Sequence, residues 1–108
     1  MARIQDLKHL DVVLERYLKF QIDELAMTHI IKNVFKEYPV SENMRDNLTL
    51  ETYKKDKNKF KASLILEKDF LASKATNIGE EGFMAQMIYV KLANLIAKIL
   101  ESNIFKNN

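Results

Sequence analysis

Five lysines between residues 54 and 61 are the side chains of this sequence best suited to binding a charged partner: Lys54, Lys55, Lys57, Lys59 and Lys61. Lysine ammonium groups neutralise phosphates, and the aromatic rings of Tyr53 and Phe60 beside them could stack on nucleic-acid bases. The cluster has no arginine, the usual bidentate reader of guanine, and lysines at this spacing point around a helix rather than along one edge. It therefore predicts a solvated helical face, with a nucleic-acid contact as the alternative.

Histidines and carboxylates at helical spacing are the next candidates, because such pairs bind metal ions. Asp6 and His9 are three residues apart, but a di-metal carboxylate bundle needs a second pair of this kind, which the sequence lacks. Glu80 and Glu81 point about 100° apart on a helix, and the spacing of Asn77 and Glu80 fits a capping box. Cysteine is absent, and no serine lies in a Gly-x-Ser-x-Gly motif. The sequence therefore predicts no metal site, no cofactor and no enzymatic activity.

The helix around which the chain is organised is predicted at residues 77–102. Its polar residues recur at steps of three and four, so they form one narrow stripe of Lys91, Asn94, Lys98 and Glu101. The rest of this helix is apolar over more than half of its circumference, whereas the apolar band of an ordinary surface helix is about 100° wide. Such a helix has to be surrounded, so the last helix is predicted to be central to the fold.

Charge and length set the broad class of the protein. Lys91 and Lys98 interrupt the apolar run, so no membrane span is predicted. The amino terminus lacks the apolar run of a secretory signal, which predicts a cytoplasmic location. The 17 basic and 15 acidic side chains nearly balance, so the molecule as a whole does not call for a polyanionic partner. A length of 108 residues suits a single domain, residues 1–108.

The first predicted helical segment covers residues 4–38. Its leading half carries apolar residues with a period of 3.6, and the stripe rotates after Leu25. This slip fits either one bent helix or two helices that meet near residues 21–23. Because no glycine or proline lies there, one helix is favoured. Pro39 ends the segment, since the residue before a proline avoids the helical region.

The second predicted helix is capped by Thr49 and runs from Leu50 to about Ser73. An α+β alternative places a hairpin at about residues 48–66, where apolar and polar residues partly alternate. The helix is favoured because no Asn-Gly turn is present and five apolar residues lie on one helical face. These residues are Leu50, Tyr53, Phe60, Leu64 and Leu71, with Lys57 and Glu67 at the two missing positions of the stripe.

Together these patterns predict an all-α bundle of three long helices, the first of which breaks into two in the alternative reading. Two neighbours cannot cover every side of the last helix, so its surplus face is predicted to meet a second subunit. That face is placed at Met84, Ile88, Leu95 and Ile99. The predicted function is a small non-catalytic protein-interaction or regulatory protein that acts as a helical homodimer and binds an unidentified protein. The alternative is a nucleic-acid-binding regulator that uses the lysine cluster.

Overall fold

Helices account for all the regular secondary structure in the part of the chain that the structure describes, residues 4–76 and 82–105. The computed structural model contains α1 (Ile4–Lys19), α2 (Glu24–Ile30), α3 (Glu42–Asn47), α4 (Leu50–Lys55), α5 (Lys57–Thr76) and α6 (Gly82–Glu101). A π-helical segment, Ile31–Phe35, continues α2, and a 3₁₀ turn, Asn103–Phe105, follows α6. The all-α prediction is confirmed. The alternative hairpin at residues 48–66 is wrong, because these residues form α4 and the first half of α5.

The first predicted helix is broken at the place where the apolar stripe rotates. Asp23 has an extended backbone, and its Oδ1 accepts a 2.8 Å hydrogen bond from the backbone N–H of Ala26, which caps α2. A side-chain cap can start a helix without glycine or proline. The preference for one continuous helix was therefore wrong, and the two-helix alternative is confirmed.

The π-helical segment explains why two pairs of consecutive residues face the core. The backbone N–H of Lys36 bonds the carbonyl of Ile31, five residues back, at 2.9 Å. This wider turn inserts one residue into the helix. Ile30 and Ile31 are both buried, and so are Val34 and Phe35.

The second predicted helix is also two helices. Thr49 caps α4 as predicted, because its hydroxyl accepts a 3.1 Å hydrogen bond from the N–H of Thr52. At Asp56 the backbone leaves the helical region, with φ −150° and ψ 84°. The Asp56 carboxylate accepts from the N–H of Lys59 at 3.0 Å and so caps α5. The predicted continuity from Leu50 to Ser73 was therefore wrong.

The last helix is central, as predicted, because α6 packs against both α1 and α5. Lys91 and Lys98 contact residues in the middle and at the end of α1, so these two helices run parallel. The side-chain amide of Gln86 donates to the carbonyl of Ala75 near the end of α5, so α5 and α6 run antiparallel. The π-helical segment packs on α1, and α3 and α4 pack on α5. The predicted cap formed by Asn77 and Glu80 lies outside the described residues.

Candidate interaction surface

Three of the four residues predicted to face a second subunit are buried in the chain's own core. Ile88, Leu95 and Ile99 are at most 1% exposed, whereas Met84 is 37% exposed. The predicted face therefore has to be corrected. A helix that is apolar on most sides has several similar faces, and the chain's own helices cover the one that contains Ile88, Leu95 and Ile99.

The apolar side chains that α6 leaves exposed lie on its opposite side. Phe83 is 70% exposed, and Met87 and Val90 are each 42% exposed. Steps of four and three residues place these three on one side of the helix, which we call the outer face of α6. Met84 lies beside it. The outer face is a row of large apolar groups in water on the most apolar helix of the fold.

Two residues of the polar stripe, Lys91 and Lys98, contact α1 and therefore do not extend over the outer face. The Nζ of Lys91 forms ion pairs with the carboxylates of Asp11 and Glu15, the second at 2.8 Å. The hydrogen bonds to Asp11 and Glu15, in that order, raise the pKa of Lys91. Lys98 donates a 2.6 Å hydrogen bond to the carbonyl of Leu18, one of the carbonyls that the last turn of α1 leaves without a helical partner. Both lysines therefore act as links between helices.

The lysine cluster lies at the surface, but its aromatic neighbours do not. All five lysines are exposed, whereas Tyr53 and Phe60 are buried with their ring centroids 5.1 Å apart. These rings cannot stack on a nucleic-acid base in this fold. Asp56 separates the lysines of α4 from those of α5. A contact through Lys54, Lys55, Lys57, Lys59 and Lys61 stays a prediction, limited to phosphates.

One lysine of the cluster belongs to a contact between three helices that the sequence did not reveal. The hydroxyl of Tyr53 donates a 2.6 Å hydrogen bond to Oε2 of Glu24, and the Nζ of Lys57 lies 3.1 Å from Oε1. The hydrogen bond from Tyr53 is the largest cause of a lowered pKa of Glu24. Burial, and then the bond to Glu24, raise the pKa of Tyr53. The contact joins the start of α2 to α4 and α5.

A buried carboxylate on α5 is a second polar feature whose contacts the sequence does not predict. Glu67 is 1% exposed, and its Oε1 accepts hydrogen bonds from Ser41 at 2.6 Å and from the Asn43 amide at 3.0 Å. Its Oε2 is buried and makes no hydrogen bond to the described residues. The sequence does show that Glu67 is unusual, because this carboxylate occupies a position of the apolar stripe of the second predicted helix. Its partners were not predictable, because they lie more than 20 residues earlier in the chain.

A cleft of about 340 Å³ lies between α1 and the end of the π-helical segment. The side-chain amide of Asn33 donates a 3.0 Å hydrogen bond to the Tyr17 hydroxyl in this cleft. His9, Arg16 and Glu37 also line it, and all three are exposed to water. Small-molecule sites usually bury most of the ligand among apolar groups. Because this cleft is open and its polar side chains are exposed to water, we assign no ligand to it.

Across residues 4–76 and 82–105, no three His, Cys, Asp or Glu residues are grouped to hold a metal ion.

Within the described residues, α6 is the one helix long and apolar enough to cross a membrane by length and composition alone. The core helix of a soluble protein can satisfy the same criterion. In α6, 33% of the 18-residue apolar segment is buried. The absence of a membrane span stays a prediction.

No protein-family model, curated protein or solved structure matches this chain.

Proposed function

We propose that this protein is a small non-catalytic interaction protein that forms a homodimer through the outer face of α6. The dimer binds or regulates another protein in the cytoplasm. The observation that carries the proposal is the row of Phe83, Met87 and Val90, exposed on the helix that otherwise forms the core. Contiguous exposed apolar groups of this kind are typical of interaction sites.

The helices that flank α6 also carry exposed apolar side chains, among them Val12 on α1 and Ile65 on α5. Fully burying a large apolar side chain contributes about 1.5–3 kcal/mol, and these side chains are already partly buried, so each contributes less. Burying several of these side chains in one contact would favour the association of two copies.

The size of the molecule is compatible with a stable interface. Its Cα extents are 43 × 23 × 21 Å, so a face along the long axis covers about 900 Å². A standard interface buries about 800 Å² on each partner. One long side of the molecule is therefore large enough to contain an interface of this size.

Nucleic-acid binding through the lysine cluster is the weaker alternative. Lys57 already pairs with Glu24, and Lys55 lies 3.7 Å from Glu51. Phosphate contacts would make the affinity fall steeply with salt concentration, whereas an apolar protein interface would not show this dependence. A salt titration of binding to duplex DNA and to RNA separates the two functions.

The test of the homodimer is the molar mass in solution, measured by light scattering over a wide range of protein concentration. We expect a dimer for the wild-type chain and a folded monomer for Met87→Asp, with unchanged helical circular dichroism. Leu25→Asp is the matched control, because Leu25 is 67% exposed on α2, away from α6, and the variant should remain dimeric. A wild-type monomer at every concentration would overturn the proposal.

A further inference from the structure

We draw no further inference here: the strongest candidate, the patch of exposed apolar side chains Phe83, Met87 and Val90 on the outer face of α6, belongs to the dimer contact already proposed, and nothing in the structure shows what covers it.

Discussion

The hydroxyl of Ser41 donates a 2.6 Å hydrogen bond to Oε1 of Glu67 and accepts a 3.0 Å hydrogen bond from the N–H of Met44. The Ser41 side chain therefore caps α3 and also links α3 to α5 by a hydrogen bond. A helix of six residues is not stable by itself in water, so its position depends on such contacts. The hydrogen bonds from Ser41 and Asn43 in turn replace part of the water that Glu67 loses on burial.

Glu67→Ala should lower the free energy of unfolding by about 2–4 kcal/mol, because it removes two hydrogen bonds and leaves the Ser41 hydroxyl and one N–H of the Asn43 amide without an acceptor. Urea unfolding followed by circular dichroism measures this difference. Glu51→Ala is the control, because the Glu51 side chain is 77% exposed and should change stability by at most about 0.5 kcal/mol. Equal effects of the two substitutions would contradict a structural role for Glu67.

Tyr53→Phe should destabilise the fold by about 1–2 kcal/mol at neutral pH through loss of the bond to the Glu24 carboxylate. The lowered pKa of Glu24 stabilises the folded state above the ordinary value of 4.5. That contribution is lost as the pH falls from this value through the folded-state pKa. The stability difference between wild type and Tyr53→Phe should therefore shrink on acidification.

Urea unfolding at a series of pH values from neutral to acidic measures this change. Tyr17→Phe is the matched control, since the Tyr17 hydroxyl accepts from the neutral amide of Asn33. Its effect should be nearly constant over the same pH range. A Tyr53→Phe effect that stays constant down to acidic pH would show that Glu24 is not the partner that matters.

Lys91→Met should lower the free energy of unfolding by about 1–3 kcal/mol at neutral pH, because Asp11 and Glu15 lose a partly buried cation. The Lys91 side chain is 21% exposed, so solvent screens its ion pairs less than those of a surface lysine. Its raised pKa stabilises the fold below the ordinary value of 10.5, and the contribution is lost as the pH rises through the folded-state pKa.

Chemical unfolding at neutral and alkaline pH measures this prediction. Lys55→Met is the control, since the Lys55 side chain is 76% exposed and 3.7 Å from Glu51. Exposed pairs of this kind contribute about 0–1 kcal/mol. If the two lysine substitutions had the same effect, Lys91 would not be a link between α1 and α6.

Ile88→Ala should destabilise the fold by about 2–5 kcal/mol, because a buried side chain is removed and leaves a cavity. Ile88→Asp should unfold the chain rather than release a folded monomer. Val90→Ala changes a residue two positions away on the outer face, and it should weaken the dimer while leaving the folded monomer nearly as stable. Urea unfolding at low protein concentration and light scattering distinguish these effects. A folded, soluble Ile88→Asp variant would contradict the burial of this position.

Most of the local structure could be predicted from the sequence, because helix periods and caps depend on residues within one or two turns. The spacing of Thr49 and Thr52 fits the cap that begins α4, and the slip of the apolar stripe is compatible with the junction near residues 21–23. Asp23 and Asp56 were available signals of the same local kind. An aspartate side chain can cap a new helix without any glycine or proline at the junction, so the lack of these two residues does not predict continuity.

The tertiary structure alone decided which side of the last helix is covered. Ile88 and Val90 are both β-branched and apolar on one helix, yet α1, α5 and the segments packed on them bury the first and leave the second exposed. The partners of Glu67 likewise lie 24 and 26 residues away in the chain, and Asp11 lies 80 residues before Lys91. Periodicity specifies the faces of a helix. Only the packing of distant segments determines which face meets the core and which meets water.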